Sequence, residues 1–257
     1  MHLSIALMTA LAAKLGAALV GVDWNFPSSD DGVGLNDVTF GFDVTNAPHT
    51  TGFYFAQQFY FNGVDGGAYT GLQPRPDNDN GSVIHAAFSS FVSGTTSTSS
   101  LCSDGADGGD GVSCSTEFNG NYSHAYNCVV ETTDGGSTWR GTVVDTVTGD
   151  AHPVGEWKLP KQAAGLQSWG LGFVEYYIYP RGSDGNVICE DLPLTEVTFF
   201  SPSSNTKGAN QGSVAKPYEY GDCVGKSAFS TTQVTGGYDV KVGFSSSGSG
   251  ESSKDYC

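Results

Sequence analysis

The sequence predicts an all-β protein: an antiparallel β-sandwich of the jelly-roll or lectin-like type, stapled by disulfides. Glycine supplies 36 of the 257 residues, and Ser, Thr, Val, Phe and Tyr are abundant. Beyond the N-terminal segment, no stretch shows the 3.6-residue apolar period of a surface helix. Short apolar or alternating runs instead recur between Gly, Asp and Asn at nearly regular spacing, which is typical of sandwiches. A chain of this length fits one large domain.

The chain opens with MHLSIALMTALAAKLGAALVG, its one sustained apolar run free of turn residues. The run is too short and too rich in small residues for a membrane span, and the small residues near Ala17–Ala18 and Gly21 suit a signal-peptidase site. We therefore predict a cleaved signal peptide over residues 1–21, a β-sandwich over 22–244 and a Ser/Gly-rich tail over 245–257. No later apolar stretch is long enough to anchor the chain in a membrane, so we predict a secreted, extracellular protein.

Ten later segments are predicted strands, because they alternate apolar and polar residues or are rich in β-branched and aromatic residues. In chain order they are DVTFGFDVT, GFYFAQQFYFNG, AYTGLQP, VIHAAFSSF, AYNCVVETT, TWRGTVVDT, HPVGEWKL, LGFVEYYIYP, LTEVTFFSP and GYDVKVGF. The segment VVDTVTGDAHPVG predicts a hairpin whose turn is Thr148-Gly149-Asp150.

Six cysteines, an even number, indicate an oxidising compartment and a disulfide framework. Only the pair Cys102–Cys114 is favoured by the sequence, because the Gly-rich segment between the two closes easily. We predict that all six are paired: Cys102, Cys114, Cys128, Cys189, Cys223 and Cys257. Asn80-Gly-Ser and Asn121-Tyr-Ser are glycosylation sequons if the chain is eukaryotic and secreted.

The stapled segment CSDGADGGDGVSC places Asp104, Asp107 and Asp110 at every third residue. Calcium takes carboxylates and backbone carbonyls, but an EF-hand has carboxylates at every second residue and a closing Glu. Asp and Gly are also the usual residues of tight turns. The sequence therefore predicts a disulfide-closed turn and no cofactor, with calcium on the three Asp residues as the alternative.

The charge balance limits the partners. The 27 acidic residues outnumber the 11 basic ones, so the formal net charge is -16. Such a chain repels nucleic acid and anionic membranes. It is also poorly suited to a polyanionic substrate, which several Lys or Arg would have to neutralise. We expect a neutral glycan as partner and a monomeric chain.

Two strands each present a face suited to a ligand, because alternate side chains of a strand share a face. In GFYFAQQFYFNG, the phenylalanines from Phe53 to Phe61 face a core. The opposite face combines aromatic rings, hydroxyls and amides: Tyr54, Ala56, Gln58, Tyr60 and Asn62. The segment GFVEYYIYP sets a carboxylate among aromatic side chains: Phe173, Glu175, Tyr177 and Tyr179. These faces predict a glycan groove, with ordinary sheet decoration as the alternative.

The segments GAYTGLQP and VIHAAFSSF, followed by GEWKLP and GFVEYY, resemble a family of secreted bacterial and fungal β-sandwich domains of unknown function. Its hallmark is a G-Y-x-G-[LI]-Q stretch before an apolar-Phe-Ser strand, and a later strand resembles Phe173–Glu175. The resemblance covers residues 50–180, although Ala68 precedes Tyr69 and PRPDNDNGS is an insertion. It implies a β-sandwich and extracellular residence, assigns no reaction, and marks three residues: Gln73, Arg75 and Glu175.

We therefore predict a secreted protein that binds a neutral polysaccharide through the groove residues: Tyr54, Gln58, Tyr60, Gln73, Glu175, Tyr177 and Tyr179. A first alternative is a polysaccharide lyase or glycoside hydrolase in the same groove, with Glu175, Tyr177 and Arg75 as its catalytic residues. A glycosidase needs a second carboxylate roughly 5–10 Å away. The candidates for it are Glu131, Asp145 and Glu156. A second alternative is a structural or host-interacting protein that recognises another protein through an exposed apolar patch.

Overall fold

The computed structural model describes residues 17–27, 34–178, 181, 187–209 and 211–245. In this part of the chain the protein is nearly all β, with two antiparallel sheets that form a sandwich. The predicted fold class is therefore confirmed. The calls on Cys257, on Tyr179 and on the tail after residue 245 lie outside the described residues.

Sixteen strands and one 3-10 helix are present among the described residues. In chain order the strands are β1 (Ala17–Asn25), β2 (Asp37–Asp43), β3 (Phe53–Phe61), β4 (Gly67–Asn78), β5 (Gly81–Ser90), β6 (Cys102–Ala106), β7 (Gly109–Asn119), β8 (Ala125–Thr132), β9 (Thr138–Asp145), β10 (Ala151–Lys158), β11 (Leu166–Tyr176), β12 (Thr195–Phe200), β13 (Ser213–Val214), β14 (Tyr218–Glu219), β15 (Ser230–Val234) and β16 (Gly237–Val242). The 3-10 helix is Cys189–Asp191.

The two sheets differ in size. The first has the order β13-β1-β11-β3-β4-β5-β7-β6, and β14 also pairs with β1. The second has the order β10-β9-β8-β2-β12-β16-β15. The predicted hairpin between β9 and β10 is present, with its turn at residues 146–150. All ten predicted segments contain strands, and β1, β6, β7 and β13–β15 were not predicted.

The core lies between the sheets and is aromatic. The four phenylalanines of β3 are fully buried, as alternation along that strand predicts. Phe61 meets Trp139 of the second sheet with ring centroids 5.1 Å apart. Phe88 stacks on Trp157 at 4.5 Å. Each fully buried large apolar side chain stabilises the fold by about 1.5–3 kcal/mol, so this layer fixes which face of β3 is turned outward.

The N-terminal strand overlaps the predicted signal peptide. Strand β1 begins at Ala17, and Leu19 and Val20 are buried in the sandwich. Cleavage after residue 21 would remove half of a strand that pairs with β11 along its length. The signal peptide itself stays a prediction, but only cleavage before Ala17 would leave this strand whole.

The cysteines follow the prediction in part. The disulfide Cys102–Cys114 is confirmed, and it staples a β-hairpin, β6–β7, rather than an irregular turn. A second disulfide joins Cys189 to Cys223. The prediction that Cys128 is paired is wrong, because Cys128 is a free, fully buried thiol. It lies between the core residues of neighbouring strands, and the other four described cysteines are paired with each other.

Other surface features concern localisation. Asn80 and Asn121, the two sequon residues, are exposed in turns. Within the described ranges, no helix has the length and apolar composition needed to cross a membrane. The two disulfides are consistent with an extracellular protein. Secretion and glycosylation stay predictions.

Candidate functional site

The outer face of the first sheet brings the predicted polar residues into one row. Glu175 on β11 lies opposite Tyr54 on β3. Phe55 lies opposite Leu72, and the same antiparallel register sets Tyr54 opposite Gln73 on β4. Residues that face each other on neighbouring strands point to the same side of a sheet. Glu175 and Gln73 therefore flank Tyr54, with their Cα atoms about 9.5 Å apart at ordinary strand spacing.

The next row of the same face is nearly flat. It consists of one aromatic ring and three small residues: Phe173, Ala56, Gly71 and Ala87. A Cβ atom at Gly71 would overlap the carbonyl oxygen of Phe55, so only glycine fits there. Ala56 and Ala87 are buried, with the rings of Tyr69 and Phe173 packed against them, and we call the face between Glu175 and Gln73 the groove.

The carboxyl group of Glu175 is half-buried in this groove. Burial and, to a smaller extent, the nearby charge of Asp107 raise its pKa to about 7. Among the described residues, no Lys, Arg or His forms an ion pair with Glu175. A carboxyl group that titrates near neutral pH without a cationic partner is suited to general acid–base chemistry.

Arg75 organises the other side of the groove. Its Nη2 donates to Gln73 Oε1 at 2.8 Å, and its Nη1 donates to the Tyr177 hydroxyl at 3.1 Å. Its Nε donates to Glu117 Oε1 at 3.2 Å. Glu117 also contacts His85 Nδ1 at 3.1 Å, and burial together with the charge of Arg75 lowers the pKa of His85. Three side chains thus hold the cation of Arg75.

Tyr54 lies between Glu175 and Gln73, and Tyr69, from the row of Gln58, packs against it. The rings of Tyr54 and Tyr69 meet edge to face, with centroids 5.2 Å apart. The hydroxyl of Tyr69 donates to Asp107 Oδ1 at 3.4 Å. Tyr54 is 4% exposed, and its buried hydroxyl has no hydrogen-bond partner in the described part of the chain. Burial raises the pKa of both phenols well above their ordinary value.

The structure separates the sequence-predicted residues into groups. It brings together Tyr54, Gln73, Arg75, Glu175 and Tyr177. Gln58 and Tyr60 share the outer face but lie farther along β3, where Tyr60 packs on Trp169 with centroids 5.2 Å apart.

The carboxylates considered as partners of Glu175 lie on the second sheet and are held there by other groups. Glu156 is bound by Arg140 at 3.0 Å, and Asp145 is bound by His124 at 2.7 Å. Glu131 lies on β8, opposite Arg140 of β9. None of these three candidates lies beside Glu175, because their strands belong to the other sheet.

Three residues of the site were missed as groove residues. Asp107 was considered only as a calcium ligand, and Tyr69 was noted only as part of a motif. Tyr220 follows β14, and the charge of Glu175 contributes to raising its pKa. Alternation along AYTGLQP puts Tyr69 on the face of Gln73, so that signal was available. Nothing local to Asp107 or Tyr220 indicates where their segments fold.

The three aspartates of the stapled hairpin do not converge. All three are exposed, and of the three only Asp107 bonds to Tyr69. Over the residues that the structure describes, no group of three or more His, Cys, Asp or Glu side chains is arranged to hold a metal ion.

The fold is similar to those of solved peptidases. A scytalido-glutamic peptidase, solved with a peptide-based transition-state analogue, is 10% identical with a TM-score of 0.44, over 89% of this chain and 99% of that one. SCP-B, a member of the Eqolisin family of peptidases solved with the tripeptide Ala-Ile-His, is 11% identical with a TM-score of 0.43 over the same shares.

The enzymatically active domain of bacteriophage CBA120 tailspike protein 2 is 12% identical with a TM-score of 0.30, over 76% of this chain and 24% of that one. TM-scores below 0.5 give these likenesses no weight for the chemistry of the groove. No protein-family model matches the chain, and no curated protein matches it. The family resemblance noted in the sequence therefore stays a prediction.

Proposed function

We propose that this chain is a hydrolase that cleaves acyl bonds, with the peptide bond as its expected substrate, and that Glu175 is its general base and acid. The observation that carries the proposal is the row in which Glu175 and Gln73 flank the buried ring of Tyr54. The pKa of about 7 lets Glu175 accept and return a proton near neutral pH.

The amide of Gln73 supports acyl chemistry. A guanidinium can only donate hydrogen bonds, so the atom that faces Arg75 at 2.8 Å is Oε1, and the two Nε2 hydrogens remain for a ligand. The positive charge behind the amide strengthens those donors. Donors of this kind stabilise the negative oxygen of a tetrahedral intermediate. They offer nothing to the oxocarbenium-like transition state of glycoside hydrolysis, which is positively charged.

The step uses only the residues of the row. The ionised carboxylate of Glu175 takes a proton from water as the water oxygen bonds to the carbonyl carbon. The carbonyl electron pair moves onto its oxygen, where the Gln73 amide stabilises it. When the carbon–nitrogen bond breaks, Glu175 passes its proton to the leaving nitrogen and becomes ionised again. The products are a carboxylic acid and an amine.

The lyase alternative is less well supported. A lyase needs a free cation to hold the carboxylate of a uronate, and Arg75 is engaged by Glu117, Gln73 and Tyr177. The formal net charge of -16 also disfavours an anionic substrate. We propose that the chain acts outside the cell as a monomer, without a resident metal ion.

The test is cleavage of a peptide library by the purified full chain, read by mass spectrometry of the new termini. Gln73→Leu keeps the shape of the side chain but removes both donors, and we expect it to lower kcat about 10²–10³-fold. Gln58→Leu on the same sheet face is the matched control and should act like the wild type. If no peptide is cleaved from acidic to alkaline pH, or if Gln73→Leu is fully active, the proposal is wrong.

A second candidate, binding of a neutral polysaccharide, is favoured by one observation. Trp169 is 40% exposed on the outer face and lies against Tyr60, with an interplanar angle of 34°. Exposed ring pairs of this kind stack on sugar faces. Trp169→Ala should then weaken polysaccharide binding about tenfold, roughly 1.4 kcal/mol. Phe200→Ala on the second sheet is the control, and equal binding by both variants would remove this candidate.

A further inference from the structure

The hairpin β6–β7 contacts the site at its tip, where Ala106 is buried and Asp107, although exposed, bonds to Tyr69. Cys102 and Cys114 lie directly opposite each other, so their disulfide closes the base of the hairpin. Ala106, next to the tip, is 2% exposed. The tip residue Asp107 has φ of 48°, a left-handed conformation that Asp tolerates better than most residues, and Gly108 follows with φ of 78°. The turn is thus built to hold Asp107 against its neighbours.

Two further observations place Asp107 at the groove. Its Oδ1 accepts a hydrogen bond from the Tyr69 hydroxyl, whose ring touches that of Tyr54. Tyr54 lies opposite Glu175, and its buried hydroxyl has no protein partner among the described residues. An unsatisfied buried hydroxyl is costly. The charged groups that act on this phenol include Asp107 and Glu175, and a water molecule bound beside the hydroxyl would satisfy it.

We propose that Asp107, presented by the disulfide-closed hairpin, is a second carboxylate of the site, and that it faces Glu175 across the Tyr54 hydroxyl. The Tyr54 hydroxyl binds the water molecule or the polar substrate group on which Glu175 acts. Asp107 acts through Glu175 and is therefore a positioning residue. The chemical role of Asp107 rests on the proposed function. Its position close to Glu175 is independent of that function.

The charge of Asp107 has a definite effect on Glu175. The titratable groups that face Glu175 are Tyr54 from β3, Tyr69 from β4, Tyr220 from the segment after β14, and Asp107. The phenols are neutral near pH 7, so Asp107 supplies the negative charge in this set. A like charge favours the protonated form of a neighbouring carboxyl group. Removing it therefore lowers the pH at which Glu175 releases its proton.

The experiment is a carboxyl-carbon NMR titration of Glu175 in the full chain, for the wild type, Asp107→Asn and Asp110→Asn. Asparagine keeps the shape of Asp107 and tolerates its left-handed backbone, so the fold should survive. Should the Asn variant unfold, Asp107→Gly tests the same charge. We expect the Glu175 midpoint to fall by about half a unit or more when Asp107 is neutralised. Asp110→Asn, on the same hairpin and exposed, should leave the midpoint unchanged.

An unchanged midpoint in Asp107→Asn, or an equal shift in Asp110→Asn, would overturn the inference. Tyr54→Phe tests the hydroxyl: it should leave the melting temperature unchanged or higher, because no protein hydrogen bond is lost, while kcat falls about tenfold or more. Full activity of Tyr54→Phe would exclude the role of its hydroxyl. If the wild-type chain cleaves no peptide, the proposed function is wrong. The NMR midpoint of Glu175 still tests separately whether Asp107 lies close to it.

Discussion

The outer faces of the two sheets place glutamate in opposite surroundings. On the second sheet, Glu156 is held by Arg140 at 3.0 Å and Glu196 by Lys241 at 3.3 Å, both near solvent. On the first sheet, Glu175 lies in an aromatic groove without a described cationic partner, and burial raises its pKa to about 7. The difference shows that a glutamate on a strand becomes chemically useful through its neighbours on adjacent strands.

The second sheet has a hollow whose acidic residues also depend on their neighbours. It has a volume of about 240 Å³ and is lined mostly by polar groups, among them Asp43, Glu196 and Asp239. Burial and the charge of Glu196 raise the pKa of Asp239. Burial and a neighbouring carboxylate likewise raise the pKa of Glu175. Yet Thr198 donates to Asp239 at 3.2 Å, and Lys241 balances Glu196. Asp239 and Glu196 already have a hydrogen-bond or ion-pair partner in the protein, so we assign no chemistry to this hollow.

The largest expected effect separates the two glutamates. Glu175→Gln keeps shape and hydrogen bonding but cannot transfer a proton, so we expect kcat to fall at least about 10²-fold with little change in KM. Glu156→Gln on the second sheet is the matched variant and should keep full activity. Steady-state kinetics on a peptide substrate decide the outcome. Equal activity of both variants would mean that the two faces do not differ in function.

A second prediction uses stability instead of activity. The pKa of Glu175 is about 7 in the folded chain against an ordinary 4.5, so the folded state binds more protons than the unfolded state between these two pH values. The free energy of unfolding then decreases as pH rises through this window. The total loss is at most about 3 kcal/mol, at 1.36 kcal/mol per pKa unit.

Urea unfolding of the wild type and Glu175→Gln at both ends of this window measures that loss. The Gln variant lacks the titrating group, so its stability relative to the wild type should increase by up to about 3 kcal/mol from pH 4.5 to above pH 7. Contributions of other groups cancel in the difference. Glu156→Gln should give no such trend, and a flat difference for Glu175→Gln would contradict the burial of its carboxyl group.

The sequence predicts the first-sheet face better than it predicts the site. Alternation in FYFAQQFYF assigns Phe53–Phe61 to the core and Tyr54 to the surface, because side-chain direction depends only on the strand. The family resemblance also marks Gln73, Arg75 and Glu175, which the structure brings together on this face. The approach of Asp107 depends on how a distant hairpin folds over the sheet, which neither periodicity nor spacing encodes.

One error has a plain physical cause. An even cysteine count suggested complete pairing, but parity says nothing about which layer a thiol faces, and Cys128 faces the core. The leader up to residue 21 stays a prediction, although its apolar, small-residue composition is also that of a buried strand, to which Leu19 and Val20 belong.

A third prediction concerns the support of Gln73. Tyr177→Phe removes the acceptor that Arg75 Nη1 uses at 3.1 Å but leaves the bond from Arg75 to Gln73 in place. Loss of one such bond costs about 1 kcal/mol, so kcat should fall about fivefold with KM unchanged. Tyr60→Phe, on the same face and away from Arg75, is the control. If kcat is unaffected in Tyr177→Phe, Arg75 does not need this contact to hold the amide.

The smallest effect is expected at Cys128, another group whose pKa burial raises strongly. The pKa of its thiol is about 12, mainly because it is fully buried between the sheets. At pH 8 only about one thiol in 10⁴ would then be ionised, and the thiolate is the reactive form. Iodoacetamide should leave Cys128 unmodified and activity unchanged in the native chain, and should modify it after unfolding, as peptide mass spectrometry can show. Rapid native alkylation would place Cys128 in solvent. Glu175 and Cys128 thus share a raised pKa, but of the two only Glu175 is partly exposed on the outer face of a sheet.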